Sequence, residues 1–222
     1  MHILVMTRIM PGHSLGGMQK QTMDLCTGFA QSGHKVSVIT TARHDGVEFE
    51  TIEGVDICYL SGSKPGYYSR KWNSLCRKKI AVLHQEKPID VIHSQSMGAI
   101  GVVKWAKKNS VPIVSTWHGT SLTEISTFFS SASYHPRYWH WLLIMPFTLL
   151  KRYLTMDLAV RRASSKITLV SPTLENNMKF LASGKVVTIS NGITLPTIKP
   201  KPTSKPLQCI AIGRMEKEKG IH

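Results

Sequence analysis

The chain has 222 residues with 28 Lys+Arg against 13 Asp+Glu, a formal net charge of +15. A hydrophobic fraction of 42% and a charged fraction of 18% are enough to bury a core and exclude wholesale disorder; the length suits one full domain and part of another. The longest strongly apolar stretch, residues 139–150, has 12 residues and contains Pro146, short of the roughly 20 a bilayer span needs.

The N-terminus, Met1 to Met6, lacks the basic leader of a signal peptide. Cys26, Cys58, Cys76 and Cys209 are scattered and form no CxxC pair, so neither a zinc cluster nor a disulfide framework is indicated. A reducing cytoplasmic compartment is the simplest reading. The positive charge calls for an anionic partner: nucleic acid, anionic lipid or a phosphorylated small molecule. Nucleic acid is disfavoured, because the basic residues are spread along the chain and neither a zinc finger nor an RRM-type aromatic motif is present.

Strand and helix patterns alternate. Residues 2–6 are a continuous apolar run, the mark of a strand covered on both faces. After the loop Pro11 to Gly17, the residues Met18, Thr22, Leu25, Cys26 and Phe29 recur at helical spacing, and Gly33 ends that helix. Residues 35–41 are β-branched and strand-like. Residues 47–60 hold short strands broken at Glu53-Gly54, and 69–87 form a helix closed by Pro88. A strand is expected at 89–93, a helix at 98–109, a strand at 112–116 and a long apolar helical region at 139–163 with a kink near Pro146. A strand at 166–171, a helix at 173–182 and a strand at 185–190 follow. This order predicts an α/β fold with a Rossmann-like, doubly wound parallel sheet.

Residues 194–206 carry four prolines and three lysines and read as an extended linker. The run Leu207 to Ile212 opens a second α/β unit that stops at His222. The expected organisation is therefore a Rossmann-like domain over 1–193, a linker over 194–206, and the first strand and loop of an incomplete second domain over 207–222.

Chemistry-bearing residues gather at predicted strand ends, where such sheets bind ligands. Gly16 and Gly17 remove Cβ atoms where a phosphate would approach a helix N-terminus; alternatively they serve a tight turn. The spacing is not GxGxxG and no carboxylate ends the second strand, which disfavours a nicotinamide cofactor. His118, in Trp117-His118-Gly119, is placed to face a cleft or is a structural histidine. His93, Ser94 and Gln95 suit contact with a polyhydroxyl acceptor, or Ser94 or Ser96 caps a helix. Arg214 and Lys219 suit a diphosphate, or belong to a charged exposed turn.

In order along the chain, Gly16-Gly17, Leu25 through Gly33-His34-Lys35-Val36, Asp90 to His93, Trp117-His118-Gly119, Asn191-Gly192 and Gly213-Arg214 with Lys219-Gly220 resemble the nucleotide-sugar glycosyltransferases of GT-B fold, retaining family four. The resemblance implies an N-terminal acceptor-binding domain and a C-terminal donor-binding domain around a cleft. It places His118 near the transferred sugar as the catalytic residue. Gly16, Gly17, Arg214 and Lys219 would lie at the donor diphosphate, and His93, Ser94, Gln95 and Trp117 at the acceptor. It implies no cofactor and no metal, a nucleotide-sugar donor, and a saccharide or lipid-linked acceptor.

The family's acidic motif, two glutamates eight positions apart, belongs beyond His222, so this chain is expected to be incomplete and inactive alone. Gln19 stands where the family often has Glu, and Thr194 where it often has Asp. The alternative is a non-catalytic acceptor-binding or membrane-associated module. Residues 61–72 and 119–140 are expected to be variable acceptor loops. The basic segment 64–87 and the apolar, cation-flanked segment 138–166 suit peripheral association with an anionic membrane surface.

Overall fold

The computed structural model describes residues 1–131, 139–178 and 185–192. The linker and second-unit expectations at 194–206 and 207–222, with Arg214 and Lys219, lie outside the described residues, as do residues 179–182 of the helix expected at 173–182. Eight strands form one sheet in the order β3-β4-β2-β1-β5-β6-β7-β8. They are β1 (His2–Met6), β2 (Lys35–Thr41), β3 (Phe49–Ile52), β4 (Val55–Leu60), β5 (Val91–Gln95), β6 (Ile113–Trp117), β7 (Lys166–Leu169) and β8 (Val186–Thr188). All neighbours are parallel except β3 and β4. Those two form a hairpin through Glu53 (φ 49°) and Gly54 (φ 79°), the pair of positive dihedrals of a two-residue turn matched to strand twist.

The helices are α1 (Gly17–Gln31), α2 (Arg70–Glu86), α3 (Val103–Lys108), α4 (Ser121–Ser131), α5 (Trp139–Arg152), α6 (Leu158–Ala163) and α7 (Pro172–Met178). Strand parity sorts the core. Ile3 and Val5 of β1 pack with Met23 and Cys26 of α1, while Leu4 and Met6 face Trp72, Cys76 and Ile80 of α2. A third cluster joins Trp117, Ile167 and Leu169 to Val160 of α6 and Leu174 of α7. The apolar stripe of α2 matches the sequence pattern, and Ser69 caps it by accepting the Trp72 N–H at 3.1 Å.

Four expectations shift. The fifth strand runs two residues later, to Gln95. The helix expected over 98–109 divides into a 3₁₀ turn at Gly98–Gly101 and α3. Helix α5 runs through Pro146, and the change of helix type comes later, as one π turn over Tyr153–Asp157. Part of the acceptor loop expected over 119–140 is instead the helix α4.

Gly98 sits under the end of β1. A Cβ there would lie 2.1 Å from the Met6 carbonyl oxygen, a backbone atom that cannot step aside. At Gly17 an added Cβ meets nothing within 4 Å. Gly98→Ala should therefore lower stability by about 2–4 kcal/mol, read as a lower urea midpoint at unchanged m-value. Gly17→Ala should change it by less than about 1 kcal/mol.

Candidate functional site

The chain runs from β1 outward to β2 and β4, then returns to β5 and runs the other way. This reversal opens a crevice beyond the carboxyl ends of β1 and β5, the place where open α/β sheets bind ligands. Thr7 and Arg8 follow β1, Gln95 and Ser96 end β5, and His118 and Gly119 follow β6. With α4 and α5 they enclose a cleft of about 550 Å³, whose walls include Arg8, Met18, His118, Glu124 and Leu149. A recess of about 50 Å³ adjoins it and shares Arg8, Ser96 and Gly119 with it. Met18 and Glu124 are also common to both, and Thr7, Tyr68, Gln95, Met97, Ser121 and Arg152 complete the recess.

His118 is half-buried and its Nε2 lies 3.1 Å from Gln95 Oε1. An amide oxygen only accepts, so the contact places the ring proton on Nε2 and leaves Nδ1 as an acceptor. Burial holds the His118 pKa below the ordinary histidine value, which favours the neutral ring. Gln95 itself is only 2% exposed, and its Nε2 has no hydrogen-bond partner. Ser96 adopts φ 50°, uncommon for a residue with a Cβ; its N–H donates to the Thr116 carbonyl at 2.7 Å.

A buried polar clamp holds the start of α4, three residues beyond His118. The Asp157 carboxylate, fully buried on the π turn, accepts the Ser121 N–H at 2.8 Å and the Ser121 hydroxyl at 3.2 Å. Burial pushes the Asp157 pKa up, against the pull of those hydrogen bonds. Arg152 Nε donates to Ser121 Oγ at 2.7 Å, and its guanidinium also pairs with Glu124. Single π turns inside helices often accompany functional sites; this one presents Asp157 to a residue 36 positions earlier.

The glycine pair stands at the open N-terminus of α1. Gly16 is extended, no side chain caps the helix, and its first turn carries no acidic residue. Neither glycine has a positive φ, so neither serves a left-handed turn; the space beside Gly17 is open, whereas the Gln19 amide fills the space beside Gly16. Gln19, the family's variable position, donates to Ser14 Oγ at 3.0 Å. His13 Nε2 donates to the Thr41 carbonyl at 3.0 Å and so ties this loop to β2.

The structure separates the residues expected at the acceptor. Gln95 reaches the recess. Ser94 is buried on the opposite face of the sheet and accepts the Ala99 N–H at 2.9 Å, tying down the 3₁₀ turn as a cap would. Trp117 is fully buried in the core, with its indole N–H donated to Ser115 Oγ at 2.9 Å; parity with Ile113 turns its side chain away from the crevice. His93 faces a different hollow, an apolar groove of about 630 Å³ between α1 and the faces of β5 and β6, lined also by Phe29 and Thr116. Arg8, Glu124, Arg152 and Asp157 escaped the sequence reading as site residues, whereas Ser96, read with the His93–Gln95 strand end, lines both hollows. Arg8 alone had a usable signal, a cation one residue past a buried strand.

His93 also sets a pH response. Burial, with a smaller contribution from nearby His118, pulls its pKa from 6.5 to about 4. The folded pKa lies below the unfolded value, so on acidification the unfolded chain takes the proton first. The stabilisation is complete above about pH 6.5 and is lost as pH falls toward 4. Between pH 7 and 4.5, stability measured by urea unfolding should fall less steeply in His93→Gln, by about 2 kcal/mol.

The fold has counterparts in solved structures. Sucrose-phosphate synthase from Thermosynechococcus elongatus aligns with a TM-score of 0.57 at 14% identity, over 85% of this chain and 47% of that one. The catalytic domain of starch synthase IV from Arabidopsis thaliana, bound to ADP and acarbose, aligns at 0.53 and 16%, over 86% and 51%. MurG from Acinetobacter baumannii aligns at 0.50 and 11%, over 90% and 47%. The chain thus spans about half the length of each. Among curated proteins none matches the sequence. The sheet is the Rossmann-like, N-terminal part of a GT-B fold. A family description, Glycosyltransferase Family 4, fits residues 15–195, and the chain belongs to that family.

Proposed function

We propose that the chain is the acceptor-binding part of a glycosyltransferase that moves a sugar from a nucleotide-sugar donor to a saccharide or lipid-linked acceptor. The observation that carries this reading is the crevice at the β1/β5 reversal, with His118 held by Gln95 at its rim. Residues 1–193 form the acceptor domain, 194–206 the linker and 207–222 the opening of the donor domain.

In this reading the donor's diphosphate comes to the uncapped end of α1, where Gly16 and Gly17 leave its N–H groups approachable. Arg214 and Lys219 approach from the donor side. Negative charge develops on the departing nucleoside diphosphate as the bond to the sugar breaks, and fixed cations stabilise it. His118 Nδ1 accepts a hydrogen bond from a hydroxyl of the transferred sugar and so orients it. His93 and Trp117 act on the acceptor through the strands they stiffen.

The protein as its own organism makes it, given a panel of nucleotide sugars and acceptors, should transfer sugar, and His118→Ala should lower the rate by about 100-fold or more. The 222-residue chain alone should transfer none, and intact-mass measurement of the natural product should show a longer polypeptide. A natural product of this length that binds saccharides without transfer would replace the reading with a non-catalytic acceptor-binding module.

A second feature favours work at a membrane surface. Trp139, Leu143, Ile144, Phe147 and Leu154 are 55–75% exposed along α5 and the turn after it, while Leu149 and Tyr153 are buried. Lys151 is exposed beside the ridge, and Arg70, Lys71, Arg77 and Lys78 are exposed on α2. Among the described residues no helix is long and apolar enough to cross a membrane; an in-plane contact needs only one apolar ridge. Vesicles containing anionic lipid should retain the chain better than zwitterionic ones, and Leu143→Asp with Phe147→Asp should abolish the difference. Equal recovery on both vesicle types would remove this reading.

A further inference from the structure

The recess beside the cleft holds one buried donor that no acceptor among the described residues satisfies. Gln95 turns its oxygen to His118, and its Nε2, buried in the wall, meets no acceptor. Buried polar groups are almost always paired, so an orphaned N–H₂ at a recess marks a place for an oxygen that arrives from outside. The charges agree. Arg8 lines both the recess and the cleft, and among the described residues no carboxylate pairs with it. The wall's own acid, Glu124, is already matched by Arg152, so Arg8 is left as the uncompensated charge.

Size narrows the ligand. At about 50 Å³ the recess suits a single tetrahedral oxyanion better than a pyranose ring. The adjoining cleft of about 550 Å³ takes the ring. Arginine's planar fork suits phosphate oxygens, and an amide N–H₂ adds a neutral donor beside it.

We propose that this recess is a phosphate subsite, in which Arg8 and the Gln95 amide hold the phosphate of a phosphorylated acceptor while its hydroxyl lies in the cleft toward His118. This rests on the glycosyl-transfer reading and sharpens it: the acceptor is a phosphate monoester, from a free sugar phosphate or from a lipid headgroup. Ser96 shares the wall, and its left-handed backbone carries the chain out of β5 along the recess.

The test is ¹⁵N NMR on the 222-residue chain, following the Gln95 side-chain N–H₂ pair. The probes are inorganic phosphate, glucose 6-phosphate, glucose and dihexanoyl phosphatidic acid. Both soluble phosphates should shift the Gln95 resonances saturably. Arg8→Ala, a change at an exposed side chain, should weaken that binding about tenfold or more, and Lys104→Ala, an exposed cation on α3, should leave it unchanged. Tighter binding of glucose 6-phosphate would identify a free sugar phosphate. Tighter binding of the lipid, with added shifts at Leu143 and Phe147, would identify a headgroup. An unmoved Gln95 amide, or equal affinity in Arg8→Ala and Lys104→Ala, overturns the subsite. Where the subsite is overturned in this way and glucose still shifts Ser96 and Gly119, the glycosyl-transfer reading stands without it.

Discussion

The site depends on the parallel pairing of β1 with β5. Met6 is in register with Ser94, so the residues that leave the two strands, Thr7-Arg8 and Gln95-Ser96, emerge side by side. That pairing requires the chain after β5 to pass close beneath the end of β1, and Gly98 is where it passes. A side chain there would push the 3₁₀ turn off the Met6 carbonyl and take the Gln95 wall with it. The geometry of a ligand crevice is thus set by a backbone contact that has no chemistry of its own.

The second wall is assembled from polar rather than apolar contacts. His118 leaves β6 and is followed within three residues by Ser121, which is fixed at both its N–H and its hydroxyl. A buried carboxylate and a guanidinium converging on one serine are costly to desolvate unless fully matched. Once matched they define one position for the start of α4, which an apolar contact would leave free to slide. The π turn fits this demand, because an extra residue in the helix rotates Asp157 toward Ser121. A precise loop at His118 is the outcome, with Gln95 setting its ring orientation from the other side.

Much of the fold was legible in the sequence, and the reasons are local. The run His2 to Met6 could only be a doubly covered strand, Glu53-Gly54 could only be a tight turn, and the stripe Trp72, Cys76, Ile80 fixed α2. What escaped was set by contacts distant in sequence. The end of β5 was misplaced because His93, Ser94 and Gln95 look like loop residues; in the sheet, Thr116 pairs with His93, Ser94 accepts the Ala99 N–H, and His118 pairs with the Gln95 amide oxygen. Helix α4 was missed because its serines and threonines are poor helix formers, and the anchor that starts it is Asp157. His118 and Gln95, singled out because such sheets bind ligands at strand ends, line the cleft and the recess. Trp117 followed the motif to the acceptor, although its parity with Ile113 sends the indole into the core.

Helix α5 joins these levels. Its inner side supplies Met145 and Leu149 to the cleft wall, and its outer ridge carries Leu143 and Phe147 into solvent. The helix is about one side chain thick in either direction, so a surface that covers the ridge lies within roughly 10–12 Å of the cleft. An amphiphilic acceptor held in that surface would need to bring only its polar end past α5 to reach His118. The charge distribution suits the same proposed route: exposed cations on α2 and at Lys151 would attract an anionic surface over long range, and Arg8 would act at short range. The long-range part is screened by salt within a Debye length, whereas the Gln95 amide, only 2% exposed, would meet a ligand where screening is weaker. Ionic strength therefore acts chiefly on arrival at the crevice, and the donors in its wall act on what remains there.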